Sequence, residues 1–306
     1  MAYDVDMRGL IKRFGQVTAV DGLSLRVDES EMMGMIGPDG AGKTTVLRML
    51  CGLITPDQGE CIVAGKSTVR ELAFVRSIVG YMPQRFSLYP DLSVEENLRF
   101  FADLFQVEKT EREKRLERLL RFSRLGPFSK RRASALSGGM KQKLALSCTL
   151  IHTPKILFLD EPTTGVDPVS RREFWDILKD LKSEGVTLLV TTPYMDEAAR
   201  CDRVALVHKG RILHMSEPEA IPGLFRHTLL EMTCDNHVAA AKALSASGRF
   251  VSVQGYGDRI HVIGAGTNEA ISRQAEAVLS AKGLRVCKIK PIRPSIEDVF
   301  VELLNR

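Results

Sequence analysis

A glycine-rich string between an apolar run and a helical segment constrains this chain more than any other feature. The string consists of Gly37, Pro38, Asp39, Gly40, Ala41, Gly42, Lys43, Thr44 and Thr45. The apolar run before it, residues 33–36, predicts a strand, and residues 44–51 after it predict a helix. The pattern G-x-x-x-x-G-K-[ST] in this setting indicates a loop that holds the phosphates of a nucleoside triphosphate.

The residue types in this loop match that task. Its three glycines allow a tight backbone turn, so that N–H groups converge on phosphate oxygens. Lys43 supplies a full positive charge for the outer phosphates, and Thr44 supplies a hydroxyl for Mg²⁺. The helix that begins near Lys43 adds its positive N-terminal end. Asp39 is unusual on a loop that holds anions, so we expect its carboxylate to point away and to be structural.

Two acidic residues follow a second apolar run, at residues 156–159. Asp160 lies where that strand is predicted to end and is expected to hold Mg²⁺ through water. Glu161 is expected to polarise the attacking water, a general-base contribution of roughly 10² to 10⁴ in rate. The alternative is a plain Asp-Glu-Pro turn, but the phosphate loop upstream favours the catalytic interpretation.

The first part of the chain predicts an α/β domain. Residues 156–159 and 186–190 are continuous apolar runs, which suit parallel strands buried on both faces. Residues 92–120 are predicted to be helical, with a capping box from Ser93 to Glu96. Residues 203–207 and 211–214 predict a closing hairpin. We expect this domain, with its mostly parallel sheet, to cover residues 1–220.

A second, smaller domain is predicted for residues 225–306. Pro218, Pro222 and Gly223 indicate a linker before it. The predicted elements are a strand at 229–233, a helix at 237–247, strands at 250–256 and 259–263, a helix at 269–282 and a strand at 286–290. This βαββαβ order suggests a small ferredoxin-like α+β unit. Ser295 and Asp298 predict the cap of a terminal helix that runs through residue 304.

Composition narrows the functional classes. A net charge of +5 over 306 residues gives no indication of nucleic-acid binding, which usually needs a concentrated basic face. No apolar run approaches the roughly 20 residues that span a bilayer, and Asp4 and Asp6 interrupt any signal-peptide pattern. We therefore expect a cytoplasmic protein that reaches a membrane only through a partner. The six cysteines lack C-x-x-C spacing and predict reduced thiols packed as small apolar residues.

A third string, residues 136–142 (Leu-Ser-Gly-Gly-Met-Lys-Gln), resembles the signature loop of ATP-binding cassette (ABC) proteins. Together with the two sites above, it makes residues 1–220 similar to an ABC transporter ATPase subunit. The resemblance implies a P-loop NTPase fold with an antiparallel β subdomain and a helical subdomain at about residues 88–150. It also implies that ATP and Mg²⁺ bind, and that a second ABC ATPase subunit and a transmembrane permease are partners.

The resemblance assigns further residues by position. Phe14 matches the aromatic residue that stacks on adenine, with a core phenylalanine as the alternative. Gln84 matches the glutamine that reaches Mg²⁺ and the attacking water. Asp167 matches the aspartate that contacts the opposite ATPase, with a plain surface turn as the alternative. The signature loop, which reaches the γ-phosphate held by another copy, corresponds to Ser137, Gly138 and Gly139.

One position departs from the family pattern. Pro193 stands where the family has a histidine that contacts the γ-phosphate. Proline has neither a side-chain donor nor a backbone N–H. Losing one transition-state donor typically costs on the order of 10² to 10³ in rate. Thr192 and Tyr194 are candidates for partial compensation.

Three hypotheses follow. The first is a transport ATPase that drives a separate exporter permease, in line with a likeness to the N-terminal cassette of two-cassette bacterial multidrug-export ATPases. The second is a regulatory half of a heterodimer, in which this chain's own site binds ATP but turns it over slowly. The third is a soluble ABC protein of translation or DNA repair. The C-terminal segment resembles the tail of drug-resistance and cation-export ATPases, which implies a regulatory or dimerising role.

Overall fold

The structure is a computed structural model that describes residues 3–85 and 88–304. Contacts divide the chain into two compact units, with the boundary between Glu217 and Pro218. The strands of the first unit are β1 (Tyr3–Phe14), β2 (Val17–Asp28), β3 (Met32–Ile36), β4 (Gln58–Val63), β5 (Lys66–Ser67), β6 (Val79–Met82), β7 (Ile156–Asp160), β8 (Thr187–Thr192), β9 (Arg203–His208) and β10 (Arg211–Ser216). Its α-helices are α1 (Lys43–Leu50), α2 (Leu72–Ile78), α3 (Val94–Leu104), α4 (Lys109–Phe122), α5 (Gly138–Leu150) and α6 (Pro168–Ser183).

A six-stranded sheet in the order β10-β9-β3-β8-β7-β6 forms the centre of this unit. β3 pairs in parallel with β8 and β9, and β7 pairs in parallel with β6 and β8. Only the pair β9–β10 in this sheet is antiparallel, which confirms the predicted hairpin. Every residue of β3, β7 and β8 is buried, as their continuous apolar sequences predict. The carboxyl ends of these parallel strands therefore form one edge on which polar residues can converge.

A second, antiparallel sheet in the order β2-β1-β4-β5 covers α1 and one face of the central sheet. One apolar cluster joins these layers and includes Leu10, Val27, Leu47, Phe158 and Leu189. Each such side chain contributes about 1.5–3 kcal/mol when it is fully buried. This packing fixes α1, and with it the loop that precedes α1, against the sheet.

Helices α3, α4 and α5 form the helical part of the first unit. The predicted capping box is present: Glu96 N–H donates to Ser93 Oγ at 3.2 Å, and Ser93 N–H donates to Glu96 Oε2 at 2.7 Å. Residues 92–120 are mostly helical, as predicted, but they form two helices. The chain breaks between α3 and α4, where Gln106 has a left-handed φ of 54°.

The second unit contains strands β11 (Thr228–Cys234), β12 (Ser252–Tyr256), β13 (Arg259–Gly264) and β14 (Val286–Pro291), and helices α7 (His237–Ala246), α8 (Asn268–Ser280) and α9 (Ile296–Leu304). Its antiparallel sheet has the order β12-β13-β11-β14, which confirms the ferredoxin-like topology. The predicted cap is present, since Asp298 N–H donates to Ser295 Oγ at 3.2 Å. The segment Pro218–Leu224, which contains the predicted linker residues Pro218, Pro222 and Gly223, directly follows the boundary between the two units. It forms a 3₁₀ helix of this unit, anchored by the fully buried Ile221.

The cysteine prediction is partly wrong. Cys51, Cys61, Cys148 and Cys201 are buried, and burial raises the pKa of each thiol. Cys287 is exposed, and its thiol donates to Asp235 at 3.1 Å, because it lies at a register shift where β14 pairs with β11. Within the described residues, none of the helices combines the length and the apolar character that crossing a bilayer requires.

Candidate functional site

The glycine-rich loop joins the end of β3 to the start of α1 at the carboxyl edge of the central sheet. Gly40 and Gly42 have left-handed φ angles of 75° and 99°. A Cβ on Gly37 would lie 2.1 Å from the Val207 carbonyl oxygen, and one on Gly42 would lie 2.3 Å from that of Ala19. Gly40 is therefore favoured by its backbone conformation, Gly37 is required by the lack of space, and Gly42 is required for both reasons. The resulting loop borders a cavity of about 440 Å³.

Ten residues line this cavity, and most of them belong to the predicted site. They are Ala19, Asp39, Gly40, Ala41, Gly42, Lys43, Thr44, Thr45, Gln84 and Glu161. Asp39 is exposed, whereas Ala41 is buried. The structure therefore brings the phosphate loop together with Gln84 and Glu161, which lie far away in the sequence.

Lys43 is a buried cation whose charge is held by three oxygens. Its Nζ donates to the Gly37 carbonyl at 2.7 Å and to the Pro38 carbonyl at 3.0 Å, and lies 3.1 Å from Glu161 Oε1. The side chains of Lys43 and Glu161 are only 3% and 6% exposed. Because a buried charge is costly unless it is paired, the two groups hold each other in place. A phosphate entering the loop would compete with Glu161 for Lys43.

Asp160, the last residue of β7, is a buried carboxylate surrounded by hydroxyls. Thr44 Oγ1 and Thr191 Oγ1 donate to its Oδ1 at 3.0 and 2.9 Å, and the Tyr81 hydroxyl lies 3.4 Å from Oδ2. Burial, and then the charge of Asp160, raises the pKa of Tyr81, so this tyrosine stays protonated. A buried carboxylate beside a threonine hydroxyl supplies the hard oxygen donors that Mg²⁺ prefers. The donor set of Thr44, Asp160 and the amide oxygen of Gln84 fits this ion.

Glu161 sits on a strained turn directly after Asp160. Its φ is 49°, and its N–H donates to the Thr191 carbonyl at 3.1 Å. Gln84 Nε2 donates to Glu161 Oε2 at 3.0 Å, and Thr164 Oγ1 lies 3.4 Å from the same oxygen. Strain of this kind persists only where surrounding contacts hold it. The carboxylate is thereby aimed at the cavity over the phosphate loop.

Phe14 lies at the end of β1 and is 50% exposed. This exposure contradicts the alternative of a core phenylalanine. Lys12 Nζ lies 5.6 Å from the centre of its ring, a cation–π contact. Phe14 is not among the residues that line the cavity, so the structure leaves its predicted stacking on adenine as a prediction.

The signature-loop residues lie outside this cavity, at the start of α5. Ser137 is the N-cap, and its Oγ accepts from Met140 N–H at 3.3 Å. Ser137 and Gly138 are exposed, but Gly139 is buried. A Cβ on Gly139 would lie 2.4 Å from Ser170 of α6. Two of the three residues are therefore open to a second molecule, and the third packs against α6.

Asp167 caps α6 and is also outside the cavity. Its Oδ1 accepts from the N–H groups of Ser170 and Val169 at 2.9 and 3.1 Å. The hydrogen bond from the backbone of Ser170 is the main reason that the pKa of Asp167 is lowered. The carboxylate is therefore fixed and charged at the exposed N-terminal end of α6, beside the signature loop.

Pro193 follows β8, and the two residues beside it, Thr192 and Tyr194, have side-chain partners of their own. The Thr192 hydroxyl donates to Glu197 at 2.5 Å, and the Tyr194 ring stacks under the Arg171 guanidinium at 4.1 Å. Both side chains are thus engaged away from the phosphate loop. Sequence reasoning missed Thr191, Thr163, Arg171 and Glu197. No spacing rule identifies them, because their contacts join four separate segments.

Comparison with known proteins gives consistent matches. The profile described as ABC transporter matches residues 20–164. The "Probable multidrug ABC transporter ATP-binding protein YbhF" of Escherichia coli (strain K12) is 40% identical over 305 residues, covering 98% of this chain and 52% of that protein. This chain therefore spans about half the length of that relative. The "Nod factor export ATP-binding protein I" of Ralstonia nicotianae (strain ATCC BAA-1114 / GMI1000) is 36% identical, with 99% of this chain and 94% of that protein covered.

Solved structures agree with the fold of the first unit. A dimeric post-hydrolysis state of the ATP-binding cassette MJ0796, bound to ADP and Pi, superposes with a TM-score of 0.63 at 26% identity, covering 70% of this chain and 98% of that chain. The cbiO1 protein of Clostridium perfringens, part of the ABC transporter complex cbiONQ, gives a TM-score of 0.67 at 25% identity, covering 72% of this chain and 91% of that chain.

Proposed function

This chain belongs to the ABC transporter family, among its ATP-binding ATPase proteins, and we propose that it powers a separate membrane permease through ATP binding and hydrolysis between two cassettes. One observation carries this proposal. The phosphate loop, Gln84 and Glu161 converge on one cavity, while Ser137 and Gly138 stand exposed outside it. A cavity that lacks its signature loop is completed when a second cassette supplies one.

The chemistry of the proposed site follows from its contacts. The N–H groups of the phosphate loop and the start of α1 bind the phosphates. Lys43 moves from Glu161 to the outer phosphates, which frees the Glu161 carboxylate. Water then attacks the γ-phosphorus, the bond to the ADP oxygen breaks, and Glu161 accepts the proton from the water. Mg²⁺, held by Thr44, Gln84 and Asp160, would neutralise charge on the phosphate oxygens.

The second cassette contributes the other half of the site. Its Ser137, Gly138 and Gly139 would reach the γ-phosphate with the positive end of α5, and Asp167 would contact the opposite ATPase. The fixed and charged state of Asp167 supports such a contact. The partner cassette is either another copy of this chain or a different ABC ATPase.

The proposed permease partner places this chain at the cytoplasmic face of the cell membrane. One of the two relatives above is named for a multidrug ABC transporter, and the other is named for Nod factor export. We therefore propose an exporter whose substrate, a drug, lipophilic compound or ion, is bound by the permease. Co-purification of a polytopic permease with the tagged chain would support this assignment. Recovery on ribosomes without any membrane protein would contradict it.

A second candidate function is favoured by Pro193. The Thr192 hydroxyl and the Tyr194 ring are both engaged elsewhere, so the γ-phosphate lacks the donor that a histidine supplies. In this alternative, ATP at this chain's own site stabilises a heterodimer, and the partner's site performs most of the turnover.

Turnover of Pro193→His beside the wild type separates the two functions. A gain on the order of 10² supports the regulatory role, since it equals the typical value of one transition-state donor. Unchanged turnover favours the hydrolysing subunit. Glu161→Gln in both backgrounds is the matched control, because it should slow hydrolysis by about 10² or more while Mg-ATP remains bound. Failure of the wild type to bind Mg-ATP would refute both functions.

A further inference from the structure

Glu197 is a buried carboxylate that the proposed reaction does not use. It lies on the 3₁₀ helix Met195–Arg200 and is 3% exposed. Thr163 Oγ1 donates to its Oε1 at 2.8 Å, and Thr192 Oγ1 donates to its Oε2 at 2.5 Å. Arg171 Nε lies 3.5 Å from Oε1. Burying a charge is costly, so a carboxylate with three partners of this kind is held firmly in one place.

These three partners belong to three different segments that surround the proposed site. Thr163 lies two residues after Glu161, in the turn that holds Glu161 at a φ of 49°. Thr192 ends β8, and its carbonyl accepts from Gly37 N–H, the first residue of the phosphate loop, at 3.3 Å. Arg171 lies in the first turn of α6, where its N–H donates to the Asp167 carbonyl at 2.9 Å. Glu197 thus joins the nucleotide side of the site to the end of α6 that bears Asp167.

The turn at Pro193 also contacts α6, through Tyr194 and Arg171. The Arg171 guanidinium stacks over the Tyr194 ring at 4.1 Å, and Tyr194 N–H donates to Thr192 Oγ1 at 3.1 Å. Proline fixes its own φ and offers no N–H, so its flanking residues hold the turn. The turn therefore behaves as a stiff element between the phosphate loop and α6.

We propose that Glu197 is a positioning residue that couples nucleotide occupancy of the phosphate loop to the first turn of α6. This inference rests on the proposed function, since it requires Mg-ATP to bind at Lys43. ATP draws Lys43 away from Glu161, and the turn carrying Glu161 and Thr163 adjusts. Glu197 transmits that adjustment to Arg171 and so to the cap at Asp167. Buried hydrogen bonds from Thr163 and Thr192 to Glu197, continued by the ion pair between Glu197 and Arg171, form a contiguous physical route for such coupling.

Intrinsic tryptophan fluorescence can report on changes at α6. Trp175 is the only tryptophan in the sequence, is 3% exposed and lies on α6 one helical turn beyond Arg171. Mg-ATP should therefore change the intrinsic tryptophan emission of the wild-type chain. Glu197→Gln should shrink this change about fivefold or more, the scale on which single residues modulate coupling. Its affinity for labelled ATP, measured by equilibrium dialysis, should stay within about twofold of the wild type.

Two pairs of variants control for indirect effects. Asp196→Asn removes a neighbouring carboxylate that is 75% exposed and lies 3.4 Å from Arg171, and it should respond like the wild type. Thr163→Val should lose the response and Thr163→Ser should keep it, because only the hydroxyl contacts Glu197. These threonine variants also keep the test open if Glu197→Gln folds poorly.

The outcomes separate the inference from the proposed function. If the wild type binds Mg-ATP but Glu197→Gln keeps the full change in emission, the inference is wrong and the function stands. The same holds if the wild type binds Mg-ATP with no change in emission. If Glu197→Gln and Thr163→Val lose ATP affinity and thermal stability in proportion to the emission change, Glu197 has only a structural role. If the wild type does not bind Mg-ATP, both proposals fail.

Discussion

The contact between α5 and α6 at Gly139 makes a sharp prediction about stability. Gly138 and Gly139 are neighbours in the first turn of α5, and neither has a positive φ. A Cβ on Gly138 would meet only the Gly165 carbonyl oxygen, at an ordinary 3.7 Å. A Cβ on Gly139 would lie 2.4 Å from both Cβ and Oγ of Ser170. The same substitution by alanine therefore has very different consequences at adjacent positions.

The magnitude follows from these distances. Carbon atoms attract best at about 3.5–4.0 Å, so the 2.4 Å contact is short by at least about 1.1 Å. Overpacking of this kind costs about 1–3 kcal/mol. Replacing glycine by alanine in a helix also gains up to about 1 kcal/mol, but both variants share this gain and it cancels in the comparison. Gly139→Ala should thus be less stable than Gly138→Ala by about 1–3 kcal/mol.

Denaturant unfolding of both variants, followed by emission of Trp175, measures this difference directly. For a unit of this size, each kcal/mol also lowers the melting temperature by about 2–4 °C. Ser170→Gly should restore most of the stability of Gly139→Ala, because it removes the Cβ and Oγ that clash at the smaller cost of a glycine in α6, a few tenths of a kcal/mol relative to serine. Ser170→Ala keeps that Cβ and should not. Equal unfolding free energies for Gly138→Ala and Gly139→Ala would refute the close packing of α5 on α6.

Three further predictions test other parts of the molecule. Lys43→Met should lower the free energy of unfolding by about 3–5 kcal/mol, because it leaves Glu161 buried without a cation. The double variant Lys43→Met/Glu161→Gln should recover most of this loss in denaturant unfolding. No recovery would mean that Lys43 and Glu161 are not coupled. Glu161→Gln alone should retain Mg-ATP in equilibrium dialysis and slow turnover by about 10² or more in a phosphate-release assay, and unchanged turnover would exclude its role as the base. Burial acts to raise the pKa of Asp298, but hydrogen bonds from His261 and Ser295 outweigh this effect and lower the pKa below its ordinary value of 3.8. The ionised carboxylate therefore stabilises the folded chain fully above pH 3.8. This stabilisation is lost as the pH falls through the lowered pKa. Asp298→Asn should weaken this acid dependence in hydrogen exchange of residues 259–264 of the full chain, and an unchanged pH profile would contradict the assignment.

Much of the fold follows from local pattern. The strand–loop–helix order around Lys43, the buried parallel strands β7 and β8, and the caps at Ser93 and Ser295 all depend on residues a few positions apart. Apolar periodicity and capping hydrogen bonds act over that range, which is why sequence alone predicts them. The break between α3 and α4 and the 3₁₀ helix at Pro218–Leu224 were not predicted. The break lies between two segments that both have a helical pattern, so the pattern gives no sign of it. The 3₁₀ helix depends on the burial of Ile221, which is a tertiary contact.

The candidate site likewise has features that depend on local sequence and features that depend on tertiary packing. The amino-acid sequence by itself determined which residues carry charge and hydroxyls, because the phosphate loop and the pair Asp160 and Glu161 are contiguous strings. Only the tertiary structure decided that Lys43 rests against Glu161 and that Glu197 joins Thr163 to Thr192. These contacts link residues from separate strands and helices. Their partners are set by how the sheet and helices pack, and local sequence carries no record of that packing.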